Sequence, residues 1–163
     1  CRLDQWCCDM AWTAVAGEAD PAAEQLLLAG QAALDCVIAE LPGRSSWLEV
    51  ARAGVREVVR RGFSVIPGLS GHGIGREVHE DPVVSWFPTV AGSAEDFSLE
   101  PGLVFTVEPL VTAGYPRVRP VGNGWTLVTV DGARSVHFEH TLAVTEAGIS
   151  VLTSPDLAAA DCV

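Results

Sequence analysis

GHGIGREVHEDP, residues 71–82, sets three glycines around His72 and then brings a second histidine, His79, against Glu80 and Asp81. Such a stretch can hold a phosphate through its backbone N–H groups, or it can hold a metal. The glycines read G-x-G-x-G rather than the G-x-G-x-x-G of a dinucleotide loop, and no G-K-[ST] follows. The chain has no lysine at all, so a P-loop cation is missing. His79-Glu80 continues with Asp81, Pro82 and Val83, which breaks the H-E-x-x-H pattern of zinc proteases. What remains is a histidine in a glycine-lined setting, where backbone without Cβ can bend tightly and admit a hydrated metal. Taken alone, such a histidine is more often structural than a ligand.

Composition narrows the field. The chain has 163 residues, 48% of them hydrophobic, with a mean hydropathy of +0.28. One compact domain with a real core is the expectation. Twenty-one acidic residues against ten basic ones, all arginine, give a net charge of −11. Without a basic cluster, nucleic acid and anionic membranes are disfavoured as partners. No apolar run suggests a transmembrane helix and no secretory leader opens the chain, so a soluble, unexported protein is expected; a cytoplasmic location and a monomer are further expectations. Cys1, Cys7, Cys8, Cys36 and Cys162 are odd in number and form no C-x-x-C pair, which suits reduced thiols. Cys7 and Cys8 are possible ligands, but small buried residues are the commoner reading.

Asp20-Pro21 reads as an N-cap followed by proline at the first helical position, and apolar residues recur at helical spacing to Leu41. Pro42-Gly43 stops that helix. Ser46 and Glu49 have capping-box spacing, and a second apolar stripe runs to Gly62. Helices over 21–41 and 47–61 follow. Beyond Gly62 the texture is β-rich: FSVI from Phe63, LVFTVE from Leu103, WTLVTV from Trp125 and VHFEHTLAV from Val136. Asp131-Gly132 predicts a hairpin pairing the last two runs. Residues 85–100 read as loop. The fold class is α+β, a curved antiparallel sheet with helices on one face.

His72, Glu108 in FTVEP and Glu139 in HFEHT are poor choices for an ordinary core. By two-residue periodicity Glu108 shares a face with Val104 and Thr106, and Glu139 with His137 and Thr141. A carboxylate embedded in an apolar strand is costly unless it is paired or binds a metal. Two such glutamates with a glycine-flanked histidine favour a metal site of oxygen and nitrogen ligands.

GHGIGREVHEDP, LEPGLVFTVEP and GWTLVTVDGARSVHFEHTLAVTEAG, in this order, resemble the type I methionine aminopeptidases, metal-dependent hydrolases of the pita-bread fold. The similarity continues upstream through RLDQWCCDMAWTAVAG and ends near Leu152. The resemblance implies removal of N-terminal methionine from nascent peptides, with two divalent ions (cobalt, manganese, iron or zinc) in the complete family site. It implies that Asp9 and Glu139 bridge the two ions, and that His72 and Glu108 complete the shell of the first. Glu108 is then the candidate proton carrier, His79 the group that hydrogen-bonds the scissile carbonyl, and Trp125 a wall of the methionine pocket. A further aspartate of the family falls eleven positions before Asp9, ahead of Cys1. The expectation is therefore a C-terminal portion of the fold: residues 1–155 a truncated catalytic domain, 156–163 a disordered tail, with one tightly held ion and little activity alone. Val78, Leu103 and Ser85-Trp86-Phe87 depart from the family's usual residues, which bears on substrate preference. A non-catalytic metal- or peptide-binding relative and a hydrolase of X-Pro peptides, like prolidase, are the alternatives.

Overall fold

The computed structural model describes residues 1–87 and 95–154. The expected tail and the middle of the expected 85–100 loop lie outside the described residues.

Helix α1 spans Pro21–Glu40, and Asp20 caps it as its sequence predicts, Oδ1 accepting the Ala23 N–H at 2.8 Å. Its buried stripe of Leu26, Ala29, Gly30, Ala33, Leu34 and Val37 faces the core. By length and composition α1 is apolar enough to cross a membrane, a property that Gln25, Gln31 and Asp35 mask in the sequence. Here the stripe packs on α2, Trp47–Arg60, and on strands of the sheet. Gly30 is required for that approach, because a Cβ there would lie 2.7 Å from Val136 Cγ2.

The predicted capping box of α2 does not form. Ser46 makes no side-chain cap; the Leu48 N–H instead donates to Asp96 Oδ1 at 2.9 Å, and the Trp47 N–H to the Phe97 carbonyl at 3.1 Å. A Ser46–Ser98 backbone bridge holds this distant segment against the helix end. Capping satisfies orphan N–H groups, and any acceptor carried there by the fold can replace the local one.

Among the described residues the strands are all antiparallel, divided between two main sheets and two short ribbons. A ribbon of β1, Arg2–Leu3, and β2, Trp6–Cys7, opens the chain. One main sheet has the order β10-β7-β3, with β3 at Ser64–Val65, β7 at Leu110–Thr112 and β10 at Ser135–His137. The other runs β12-β11-β6-β4-β5, with β4 at Gly71–Gly73, β5 at Glu80–Val84, β6 at Val104–Val107, β11 at His140–Thr145 and β12 at Gly148–Val151. The second ribbon pairs β8, Val118–Pro120, with β9, Leu127–Thr129. Helix α1 packs on β7 and β10, and α2 on β3, so the helices cover the three-stranded sheet. Between the layers lie fully buried Trp47, Phe105, Leu34, Val107 and Val111, each side chain worth about 1.5–3 kcal/mol of transfer free energy.

Two strand expectations are corrected. VHFEHTLAV is not one strand but two, β10 and β11, because the chain leaves one sheet for the other at Phe138 and Glu139. The Asp131-Gly132 turn does not pair β9 with β10. Asp131 accepts the N–H groups of Tyr115 at 2.6 Å and Ala133 at 3.1 Å, so its carboxylate ties the turn to the 113–115 region and β10 goes on to pair with β7.

Candidate metal centre

Glu139 sits where the chain crosses between the two main sheets, and the other polar groups gather around it. It is 4% exposed, its Oε1 makes no hydrogen bond, and burial, followed by the nearby carboxylates of Glu108 and Asp9, pushes its pKa from 4.5 up to about 8. A buried orphan carboxylate oxygen is expensive unless a cation or donor meets it.

Asp9 reaches Glu139 from the opposite end of the sequence. Residues 9, 11 and 13 run antiparallel to 141, 139 and 137. The Thr141 hydroxyl donates to the Asp9 carbonyl at 2.6 Å and accepts the Asp9 N–H at 3.2 Å. The Glu139 N–H donates to the Ala11 carbonyl at 2.8 Å. The Thr13 hydroxyl in turn donates to the His137 carbonyl at 2.8 Å and accepts the His137 N–H at 2.9 Å. Threonine hydroxyls thus stand in for backbone groups in two rungs out of three.

His72 comes from β4, whose glycines permit close strand packing: a Cβ at Gly71 would run into the Thr106 carbonyl oxygen, and one at Gly73 into that of Asp81. The space left by the absent Cβ atoms is filled by neighbouring backbone rather than held open for a metal. Nδ1 of His72 lies 3.0 Å from the Gly73 carbonyl oxygen. A carbonyl only accepts, which puts a proton on Nδ1 and turns Nε2 toward Glu108 Oε1 at 3.7 Å. The Thr106 hydroxyl, which accepts the His72 N–H at 3.0 Å, donates to Glu108 Oε1 at 3.1 Å and orients that carboxylate just beyond β6.

The donors form two groups. Asp9, His72 and Glu139 each offer an atom within 4.8 Å of the others, as do Glu108, His137 and Glu139. Oxygen and imidazole donors at this spacing, with an unpartnered buried oxygen among them, fit divalent ions. The structure therefore gathers all four expected ligands, Asp9, His72, Glu108 and Glu139, but only Glu139 belongs to both groups. It also brings in His137, which the sequence reading leaves without a role. The available signal was the two-residue spacing that puts His137 on the face of Glu139.

His79, exposed at the end of the β4–β5 turn, sets its ring against His72 with centroids 4.3 Å apart and planes at 66°. Both line an open cleft of about 510 Å³ with Ser70, Gly71, Glu80 and Asp81. Trp125 lies on the β8–β9 turn, 90% exposed, and is not among the cleft's lining residues. His140 turns away from the cluster, its Nδ1 2.8 Å from the Thr153 hydroxyl, and burial lowers its pKa. Cys7 donates its thiol to the Arg76 carbonyl at 3.4 Å and stays outside both donor groups, as does Cys8.

Antiparallel sheets capped by two helices, with carboxylates and imidazoles converging where the sheets meet, agree with the metal-dependent pita-bread class that the sequence resemblance implies. The sequence pattern of Metallopeptidase family M24 matches residues 1–146, and the chain belongs to that family. It is 34% identical over 152 residues to methionine aminopeptidase 1 of Bacillus subtilis, covering 93% of this chain and 60% of that protein. It is 37% identical to the methionine aminopeptidase of Haemophilus influenzae, covering 87% and 52%. The crystal structure of the methionine aminopeptidase of Thermotoga maritima superposes with a TM-score of 0.85 at 35% identity, covering 93% and 59%. The prolidase of Pyrococcus furiosus, at 22% identity and a TM-score of 0.69, shares the fold. The chain thus spans roughly half to three-fifths of the length of these methionine aminopeptidases.

Proposed function

We propose that this chain carries the metal centre and the proton-handling residues of a methionine aminopeptidase, which hydrolyses the first peptide bond of nascent chains. The observation that carries the reading is the convergence of Asp9, His72, Glu108 and Glu139 on one volume, in a chain similar to methionine aminopeptidases over nine-tenths of its length. Cobalt, manganese, iron and zinc are the candidate ions. Bound there, divalent ions supply a lowered water pKa and charge for a polarised carbonyl.

The chain's own groups do the rest. Glu108, one oxygen held by the Thr106 hydroxyl and the other 3.3 Å from His137 Nε2, is proposed to take a proton and pass it to the leaving amine. His79, which lines the cleft with His72, is proposed to donate a hydrogen bond to the scissile carbonyl oxygen. Trp125 is proposed to contact the methionine side chain from its exposed turn. The reading takes the protein to be cytoplasmic and monomeric, with peptide or nascent-protein N-termini as its partners rather than nucleic acid or membrane.

The test compares release of the first residue from Met-Ala-Ser and Ala-Pro peptides. Both this chain and the longest reading frame containing it are assayed, with manganese or cobalt present. Methionine release that is lost in Glu108→Gln is the expected result. Release from Ala-Pro alone would favour the prolidase-like alternative, and no release from either, with ions bound, a non-catalytic relative.

A further inference from the structure

Three of the chain's five cysteines lie on the β1–β2 ribbon or at its open end. Cys1 and Cys8 face one another there: the Cys1 nitrogen donates to the Cys8 carbonyl at 2.7 Å, and the Cys8 N–H to the Cys1 carbonyl at 2.9 Å. Residues that exchange both bonds across antiparallel strands have Cα atoms about 5.5 Å apart and side chains on one face. A disulfide spans about 4.4–6.8 Å between Cα atoms. The register is fixed from the other end by the Asp4-Gln5 turn, whose φ values of 46° and 77° are the positive pair that a two-residue hairpin loop demands. Cys7 does not compete, because it points to the opposite face, where its thiol donates to the Arg76 carbonyl and its N–H to the Gly75 carbonyl at 2.7 Å. Cys36 lies away on α1. Cys1 is exposed and Cys8 half-buried, and Leu3 and Trp6 on their face are exposed too, so a small oxidant can reach the pair.

We propose that Cys1 and Cys8 are a redox site, closing to a cross-strand disulfide when they meet a low-molecular-weight disulfide such as glutathione disulfide. One cysteine thiolate attacks a sulfur of that oxidant, releasing one small thiol and leaving a mixed disulfide. The facing thiolate then displaces the second small thiol. The two cysteines lose two electrons and two protons, and the oxidant takes up both to become two thiols. Closure fastens a ribbon that is marginal by itself, at the end from which the chain runs directly into Asp9. An exposed disulfide has a comparatively oxidising potential, so the pair stands open in reducing surroundings and closes under oxidative stress. The site depends on neither bound ions nor peptide hydrolysis.

The experiment incubates the purified chain with glutathione disulfide, counts free thiols, and measures the intact mass without reductant, with folding checked by circular dichroism. The parent should lose two of its five thiols and regain them in dithiothreitol. Cys7→Ser should still lose two, whereas Cys1→Ser and Cys8→Ser should lose none by internal pairing. If Cys8→Ser does not fold, Cys1→Ser, changed at an exposed position, decides the matter. Amide hydrogen exchange from Arg2 to Asp9 should slow at least about tenfold in the oxidised parent. No thiol loss in the parent, internal pairing that persists in Cys1→Ser or Cys8→Ser, or glutathione retained on the parent as a stable mixed disulfide overturns the pairing. Unchanged exchange after the bond has closed overturns the fastening of the ribbon.

Discussion

Raising the pH without divalent ions should destabilise the folded chain, because Glu139 must ionise in a buried site already crowded by Glu108 and Asp9. Its pKa moves from 4.5 in the unfolded chain to about 8 in the folded one. Below 4.5 the carboxyl is neutral in both states and the stabilising proton is fully in place. Between these values the folded state holds more protons than the unfolded one, so stability falls as pH rises and levels off above about 8. The full span corresponds to at most about 5 kcal/mol, at about 1.4 kcal/mol per pH unit. His140 acts the other way: burial lowers its pKa from 6.5, so it adds stability as pH rises toward that value. The hydrogen-bonded carboxylates of Asp20, Glu57 and Asp131 are shifted down, and their contributions develop in more acid solution. The clean window therefore lies from 6.5 to about 8, where Glu139 alone should cost about 2 kcal/mol. Urea unfolding followed by tryptophan fluorescence, with a chelator present, measures the slope. Glu139→Gln should flatten it and be the more stable protein above that window, while losing its bound ions. Saturating cobalt should remove the slope in the parent, since the ion takes the proton's place. Parallel pH profiles for parent and Gln variant would refute the reasoning, for they would mean that ionising Glu139 costs the fold nothing.

Thr141→Val removes both hydrogen bonds to the Asp9 peptide; we expect a loss of about 1–3 kcal/mol in urea unfolding and an ion affinity down about tenfold, with Thr141→Ser close to the parent in both. Gly71→Ala forces a Cβ against the Thr106 carbonyl and should cost about 1–3 kcal/mol, visible as a lowered thermal midpoint. Asp96→Ala should destabilise by about 1 kcal/mol through the lost cap on Leu48, whereas Ser46→Ala, whose hydroxyl caps nothing, should change stability by much less.

Helices α1 and α2 were legible in the sequence because their signals are local: a cap, a proline or glycine, and an apolar stripe of helical period. The clustered residues Asp9, His72, Glu108 and Glu139 were legible as candidates through motif and resemblance, and Glu108 and Glu139 also as acids out of place in apolar strands. What was hidden depends on contacts between distant segments. The cap of α2 comes from Asp96, about fifty residues on, so Ser46 and Glu49 misled. The break at Glu139 is a change of partner strand, which no periodicity within VHFEHTLAV reports. His137 has no motif of its own, and its place beside Glu108 and Glu139 shows only in its distances to them. Asp131-Gly132 did make a turn, but the carboxylate's bond to Tyr115 decided where the next strand went.

The threonine-pinned rungs joining 9, 11 and 13 to 141, 139 and 137 act as a register lock. Side chains on extended backbone alternate with a period of two, so a slip of one position would turn Asp9 to the other face and present Met10 or Cys8 to the ions instead. Each hydroxyl both donates to and accepts from its partner's backbone, so it has a preferred partner, and a slipped segment would leave both threonines unmatched. Inserting or deleting a single residue between Asp9 and Thr13 therefore leaves the helices and the buried core untouched yet strips an oxygen from the ions, separating a chain that folds from one that binds.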